Sequence, residues 1–169
     1  MDINAVVLAG EVTSVRECDG MYVHLLEVER PSGECDSIEV LSEERVSGFV
    51  RVYGEARSRQ SKGLKPYVFA DRIEPCEEYF ENECVVEGYI CQVPYYKRLR
   101  TREATAFMIA VEGKRTYYIP IVCWGRVARK VADFSEGKKV VIKGRCQVRH
   151  YLKEGNMRCA REISAYEVI

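Results

Sequence analysis

The sequence predicts an all-β protein made of two five-stranded barrels that follow one another along the chain. Two observations lead to this prediction: strand-like segments of the first half recur in the second, the first of them at an offset of 78 residues, and one stretch of the second repeat has the periodicity of a short helix. A chain of 169 residues accommodates two small domains, since compact domains commonly contain about 50 to 200 residues. Length alone does not distinguish one domain from two, so the tandem rests on the repeat.

The first strand of each repeat has the clearest match. The segment NAVVLAGEVTSV at 4–15 corresponds to NECVVEGYICQV at 82–93, with Asn, Val, Gly and Val at matching positions. In both segments apolar residues alternate around a glycine. This pattern is typical of a strand that bends or bulges while it closes a barrel.

Three later pairs of segments have the same alternation. In chain order they are DSIEVL (36–41) with YYIPIV (117–122), FVRVYGEARSR (49–59) with KVVIKGRCQVR (139–149), and YVFADRIE (67–74) with REISAYEV (161–168). The repeats therefore end on the same kind of strand, and five strands per repeat is the predicted count.

The middle of the second repeat differs from the first. It has WGRVARKVADFSEG at 124–137 where the first repeat has only SEERVSG at 42–48. A helical face ending at Gly137 is predicted for Val127, Ala128, Val131, Ala132 and Phe134. An order of three strands, a helix and two strands matches the OB-fold, a five-stranded Greek-key barrel. The predicted domains are an acidic, degenerate OB-fold at 1–76, a linker at 77–81 and a basic OB-fold at 82–169.

Charge is divided unequally between the repeats. Residues 1–78 hold 9 Lys and Arg against 16 Asp and Glu, a net −7, whereas residues 79–169 hold 17 against 10, a net +7. An anionic ligand is therefore expected on the second repeat. The basic residues Arg57, Arg59, Lys62 and Lys65 form a smaller stripe on the last hairpin of the first repeat.

Several function classes lack their sequence signals. There is no G-x-S-x-G, H-E-x-x-H, phosphate-binding glycine loop or dinucleotide motif, so we predict that the protein is not an enzyme. The eight cysteines contain no C-x-x-C, and we predict no metal site, no cofactor and cysteines that act as small apolar residues. Without a signal peptide or an apolar stretch of about 20 residues, a cytoplasmic protein with no membrane contact is expected.

Aromatic and basic side chains are concentrated in two segments of the second repeat. The segment 95–102 has no acidic residue and lies between the first two strands, where an OB-fold loop contacts its ligand. Its candidate ligand-binding residues are Tyr95, Lys97, Arg98, Arg100 and Arg102, whereas Tyr96 points to the opposite side by strand alternation. In the second segment, alternation places Arg145, Gln147 and Arg149 on an outward face, near His150, Tyr151 and Lys153.

Four ordered pieces of the second repeat resemble the bacterial single-stranded DNA-binding protein family and its relative, the primosomal protein N. They are VVEGYI, PYYKRLRT with FMIAV, IPIVCWGRVA, and VVIKGRCQVRHY. The resemblance implies aromatic stacking positions at Tyr118, Trp124 and Tyr151. Packing of Trp124 between helix and barrel is an equally weighted alternative. The first repeat has Ser37, no Trp-Gly pair and Ser61 at the aligned positions, so the resemblance implies no stacking residues there.

The predicted function is non-enzymatic, sequence-independent binding of single-stranded DNA in replication, repair or recombination. Tyr118, Tyr151, Trp124 and Tyr95 would stack on bases, and the basic residues of both segments would contact phosphates. The alternative is a protein-interaction module of a replisome, primosome or mobile-element complex, in which the acidic first barrel docks a replication protein. RNA remains an open alternative ligand. A homodimer is predicted, with the first-strand edges of two copies paired.

Overall fold

Ten strands and one helix of seven residues make up the chain, and the computed structural model describes all of residues 1–169. The elements in order are β1 (Asn4–Cys18), β2 (Met21–Glu29), β3 (Cys35–Ser42), β4 (Gly48–Gln60), β5 (Leu64–Pro75), β6 (Glu81–Arg98), β7 (Glu103–Glu112), β8 (Thr116–Trp124), α1 (Gly125–Val131), β9 (Lys139–Lys153) and β10 (Asn156–Val168). No helix is long and apolar enough to cross a membrane.

The strands hydrogen-bond into two closed rings. In the first ring the order is β1-β2-β3-β5-β4 and back to β1, and in the second it is β6-β7-β8-β10-β9 and back to β6. Only the third and fifth strands of each ring are parallel. The predicted all-β class, the OB-type barrel and its short helix after the third strand are confirmed. The domain limits at residues 76 and 82 stay a prediction, with residues 76–80 connecting β5 to β6.

Glycine is required at the bend of each first strand. A Cβ atom on Gly10 would lie 2.2 Å from the carbonyl oxygen of Glu27, and one on Gly88 would lie 2.6 Å from that of Ala110. Shortly after each glycine the strand pairing shifts, between Val12 and Ser14 in β1 and after Ile90 in β6. The bulged, tightly curved first strands expected from the repeat are therefore present.

The core of each ring consists of the inward side chains of alternating strand residues. Leu8 in β1 and Val86 in β6 are both 0% exposed. The helix α1 closes one end of the second ring through Ala128 and Val131, which are also fully buried. It is shorter than the predicted apolar face, because Ala132 caps it and Phe134 packs against the core from beyond its end.

The connection between the third and fourth strands is attached differently in the two rings. In the second ring, the buried hydroxyl of Thr105 donates to the Ala128 carbonyl at 2.7 Å and so holds α1. In the first ring, which has no helix, the Val46 N–H donates to Nε2 of His24 at 3.0 Å, and Nδ1–H of His24 donates to the Val40 carbonyl at 3.2 Å. His24 is 1% exposed, and burial lowers the pKa of this imidazole.

The rings are joined by antiparallel pairing of β1 with β6. Asn4 faces Val86 and Leu8 faces Asn82, so a shift of 78 residues exchanges one pair for the other. The two first strands therefore pair as two identical strands would across a two-fold axis. A homodimer was predicted to form through these edges, and this mode of pairing is wrong because the chain has already paired them with each other.

Two asparagines at matching repeat positions make the same contacts in the two rings. Asn4 Nδ2 donates to the Ala56 carbonyl at 2.7 Å, and the Ala56 N–H donates to Asn4 Oδ1 at 2.8 Å. Asn82 bonds in the same way to Cys146, at 2.7 and 2.8 Å. Each side chain thus satisfies a fourth-strand peptide group where that strand leaves its ladder with the first strand.

A buried carboxylate reinforces the seam between the rings, which we define as the contact of β3 with β9 and of β4 with β8. Asp36 of β3 is 0% exposed and accepts hydrogen bonds from Arg30 at 2.8 and 2.7 Å. It also accepts from the Val148 N–H of β9 at 3.0 Å. On the opposite side of the seam, the Tyr118 N–H donates to Ser58 Oγ at 3.1 Å.

The buried imidazole makes the stability of the first ring depend on pH. The folded-state pKa of His24 lies below the ordinary 6.5, so the unfolded chain binds the proton more readily. Stability is fully present above pH 6.5 and declines as the pH falls, by at most about 1.4 kcal/mol per pH unit. Urea unfolding between about pH 5.5 and 7.5 should show a flatter profile for His24→Gln than for the exposed control His150→Gln. Equal slopes for both variants would contradict this assignment.

The two acidic partners of Arg30 differ in burial, which predicts unequal effects of removing them. Asp36→Ala leaves a half-buried guanidinium and an unpaired Val148 N–H, so it should lower the free energy of unfolding by about 3 kcal/mol. Glu34→Gln removes the other ion pair, formed at 2.8 Å by a carboxylate that is 70% exposed, and should cost under about 1 kcal/mol. Urea denaturation compares them, and equal losses would rule out the seam role of Asp36.

Candidate nucleic-acid interface

A strip of small or flexible side chains, flanked by aromatic ones, runs over the outer face of β6, β7 and β8. The residues of β7 that face outward are small or flexible, and they alternate with the buried Phe107 and Ile109. Tyr89 and Tyr118 flank Ala110 from the two neighbouring strands, and Lys97 and Trp124 flank Ala104. We define the aromatic groove by its walls, Tyr89, Tyr95, Tyr118 and Trp124, and its floor, Ala104, Ala106, Met108 and Ala110.

Three of the four aromatic walls are open to solvent. Tyr95 is 68% exposed, Tyr118 44% and Tyr89 43%. Tyr117, which precedes Tyr118 on the strand, is 3% exposed, as strand alternation requires. Exposed tyrosine rings on a rigid sheet present flat π surfaces, which suit stacking on planar ligands.

Tyr89 was missed by the sequence reasoning. It follows Gly88 on β6 and pairs with Ala110, opposite Tyr118 across β7. The signal was available, because alternation from the buried Val86 and Ile90 places Tyr89 on the outer face. The Lys139 ammonium lies 5.1 Å from the centroid of its ring.

Trp124 has features of both roles that the sequence left open, packing at the helix and stacking at the surface. It is half-buried at the junction of β8 and α1, on the groove side of its strand. The guanidinium carbon of Arg102 lies 3.8 Å from the centroid of its ring. One face of the indole is therefore already stacked by a cation from the β6–β7 loop.

The end of β6 and the β6–β7 loop that follows it supply unpaired positive charge at one end of the groove. Lys97, Arg98, Arg100 and Arg102 are all exposed, and none forms a salt bridge. The Leu99 N–H donates to the Arg102 carbonyl at 2.8 Å and closes the loop. Tyr96 pairs with Thr105 on the side away from the groove, where burial and the nearby Glu103 carboxylate raise its pKa.

The arginines of β9 lie elsewhere and are partly covered. Arg145, Gln147 and Arg149 do share one face, but Gln147 is only 5% exposed and both arginines are half-buried. Glu162 accepts hydrogen bonds from Arg149 at 2.9 and 3.2 Å, which raises the pKa of the arginine. Burial lowers the pKa of Arg145, close to Arg30 of the first ring. The open outward face expected from alternation is wrong because the first ring and β10 pack against it.

The tip of the β9–β10 hairpin is a separate exposed surface. Tyr151 is 38% exposed, with the Arg149 guanidinium carbon 5.3 Å from its ring centroid, and Lys153 is exposed at the end of β9. Because β9 neighbours neither β7 nor β8, these residues do not line the aromatic groove. The groove thus contains the predicted Tyr95, Tyr118 and Trp124, with the loop cations beside it. Ligand contacts by Arg145, Arg149, Tyr151 and Lys153 stay predictions.

The corresponding face of the first ring is acidic. On β1 and β2, Glu11 faces Glu27, and Glu29 faces Cys35 of β3. None of these three carboxylates forms a salt bridge. Where the second ring has aromatic walls, the first ring therefore has uncompensated negative charge, which repels phosphate. No group of three or more His, Cys, Asp and Glu side chains is arranged to hold a metal ion.

Comparison with known proteins gives matches to part of the chain. The model of the single-strand binding protein family matches residues 81–169. Single-stranded DNA-binding protein 2 of Clostridium acetobutylicum is 36% identical over 98 residues, which cover 52% of this chain and 74% of that protein. Single-stranded DNA-binding protein 3 of the same organism is 45% identical over 53 residues, covering 30% and 37% of the two chains.

The fold of the whole chain also has a known counterpart. The crystal structure of the wild-type single-stranded DNA binding protein from Thermus aquaticus superposes with a TM-score of 0.81 at 17% identity, covering 99% of this chain and 92% of that one. The similarity extends over both rings. At this identity it shows a shared fold and leaves the roles of individual residues to the site geometry.

The stacking of Arg102 on Trp124 predicts how accessible the only tryptophan is. Removing the guanidinium in Arg102→Ala uncovers one face of the indole, so acrylamide should quench Trp124 fluorescence more strongly than in the unaltered protein. Arg100→Ala is the matched control, since this exposed arginine of the same loop does not stack on the ring. Equal quenching constants for the two variants would show that Arg102 does not cover the indole in solution.

Proposed function

The chain belongs to the single-strand binding protein family, and from this membership we propose that it binds single-stranded DNA, without catalysis and without sequence preference, in the aromatic groove. The observation that carries the proposal is the juxtaposition of exposed aromatic rings with an unpaired basic loop on the ring that the family model matches. Affinity would come from two physical sources, stacking and phosphate neutralisation.

Stacking accounts for binding without sequence preference. Every base has a π face, so a base stacked on Tyr95 or Tyr118 contributes about 1 to 3 kcal/mol whatever its identity. The groove floor of Ala104, Ala106 and Ala110 leaves room above β7 for bases to reach the rings on both sides. A duplex hides these faces within its own stack, which favours a single strand as the ligand.

Phosphate contacts come from the end of β6 and from the β6–β7 loop. Lys97, Arg98 and Arg100 have no acidic partner to release when they bind phosphate. Arg102 already stacks on Trp124 and can present its remaining N–H groups to a phosphate while it stays on the ring. Each neutralised phosphate releases counterions, so affinity should fall steeply with salt.

The cellular role follows from the ligand class. Replication, repair and recombination all expose single strands, and we propose that the protein covers them in these processes. The acidic face around Glu11, Glu27 and Glu29 supports a second proposal from the sequence, that the first ring docks a replication protein with a basic surface. A homodimer remains proposed, through a surface other than the paired β1 and β6 edges.

Two alternatives are separated by direct binding measurements. If the protein is chiefly an interaction module, Arg98→Glu with Arg100→Glu should leave partner binding intact and remove only weak nucleic-acid contact. If RNA is the ligand, rU oligomers should displace dT oligomers, since stacking alone does not distinguish the two sugars. Arg149 is a poor site for charge reversal, because a glutamate there would lie against Glu162.

The stacking role of the groove predicts a selective loss of affinity. Tyr95→Ala and Tyr118→Ala should each weaken binding to oligo-dT by about 1 to 3 kcal/mol, or about 5- to 150-fold. Tyr79→Ala is the control, because Tyr79 is 51% exposed and lies outside the groove. Binding is followed by quenching of Trp124 and by gel shift at low salt. If the unaltered protein shows neither signal, the proposed function is wrong.

A further inference from the structure

A second groove lies where the two rings meet, at the Tyr118 end of the aromatic groove. Its walls are the tip of the β4–β5 hairpin of the first ring and the β7–β8 hairpin of the second. We define this seam groove by its lining residues, Ser58, Arg59, Gln60, Leu64, Arg115, Thr116 and Tyr118. Tyr118 lines both grooves, so the two surfaces meet at this residue.

The position of the hairpin against the second ring is fixed by the seam. The Tyr118 N–H donates to Ser58 Oγ at 3.1 Å, directly beside Arg59 on β4. The centroid of the Tyr117 ring lies 5.4 Å from the guanidinium carbon of Arg57 in the first ring and 5.3 Å from that of Arg115 in the second. Cations from both rings are therefore held close together.

Some basic residues around the seam groove are buried and paired, whereas others are exposed and free to contact a ligand. The Arg57 side chain is 13% exposed, bridged to Glu55 and stacked on Phe69 at 3.8 Å, so it stabilises the packing. In contrast, Lys62, Lys65, Lys114 and Arg115 are exposed and form no salt bridge. We call them, together with Arg59, the seam cations.

Arg59 adds further positive charge in spite of its acidic neighbour. Its partner Glu39 lies at 3.4 Å but also faces Arg161 at 3.3 Å and Arg16 at 3.8 Å. One carboxylate shared among three arginines leaves the cluster with a positive excess. The seam groove is therefore bordered by positive charge from both rings, although the first repeat as a whole has a net charge of −7.

We propose that a single-stranded polynucleotide leaves the aromatic groove at Tyr118 and crosses onto the β4–β5 hairpin, with its phosphates on the seam cations. This inference rests on the proposed function and adds a second binding surface to it. The first ring contributes this hairpin and not its outer sheet face, where Glu11, Glu27 and Glu29 repel the strand. The polynucleotide thus crosses the seam but does not continue onto the acidic sheet face of the first ring.

The test compares a seam variant with a charge-matched control. Lys62→Gln with Arg115→Gln removes two seam cations, and Arg45→Gln with Arg72→Gln removes two from other parts of the first ring. Arg72 faces Tyr53 on β4, six positions from Arg59, which corresponds to roughly 20 Å along the strand. Affinity is measured against salt for short dT oligomers of about 8 nucleotides and long ones of about 30.

With the long oligomer, the seam variant should reduce the slope of log affinity against log salt by about 1.4, since each lost phosphate contact to a single strand accounts for about 0.7. The short oligomer, which the aromatic groove can hold alone, should bind the seam variant and the unaltered protein alike. The control pair should keep the full slope with both lengths. Unchanged thermal unfolding of the seam variant would exclude a merely structural effect.

The outcomes distinguish this inference from the function on which it rests. An unchanged slope for the seam variant with the long oligomer, while the unaltered protein binds, would overturn the path across the seam and leave the proposed function intact. An equal reduction in the control pair would also overturn it, because it would show a general effect of net charge. If the unaltered protein binds neither the short nor the long oligomer, the proposed function itself is overturned.

Discussion

The antiparallel pairing of β1 with β6 is the constraint on which the rest of the molecule depends. It uses the free edges of both first strands and sets the two rings in a two-fold-like arrangement within one chain. This pairing brings β3 into contact with β9 and β4 into contact with β8. Asp36 and the hydroxyl of Ser58 then accept hydrogen bonds across the seam from the N–H groups of Val148 and Tyr118. Asn4 and Asn82 satisfy peptide groups that this geometry leaves unpaired within the ladder.

The backbones of the two rings are related by near two-fold symmetry, but this does not require the two rings to have the same function. Most inward residues of both rings are apolar, because each ring must fill the interior of its own barrel. The outward residues are under no such constraint. On the β2 and β7 faces they have diverged into carboxylates on one ring and a floor of small residues between aromatic walls on the other. The scaffold therefore presents a repelling face and an attracting face in fixed relation.

The seam also determines which basic residues are available to a ligand. Arg57 and Arg149 are paired with carboxylates near the contact between the rings, whereas Arg100 and Arg115 project from hairpins without a carboxylate partner. Sequence proximity to an aromatic residue does not separate these two kinds of arginine. Burial by the other ring separates the two kinds of arginine, because a desolvated guanidinium is retained only when a carboxylate compensates its charge.

The sequence by itself determined the strands, the barrel type and the ring with the aromatic and basic loop. These follow from local patterns: alternation around Gly10 and Gly88, the helical spacing before Gly137, and the run of tyrosine and basic residues at 95–102. Tertiary structure alone decided what lies across from each strand. It buried Gln147 and paired β1 with β6 inside the chain. It also placed Tyr89 and Tyr118 on either side of β7, and Arg59 and Arg115 in the lining of one groove. Strand alternation fixes which side of a sheet a residue occupies, but the neighbour on that side comes from distant chain segments, which no local pattern specifies.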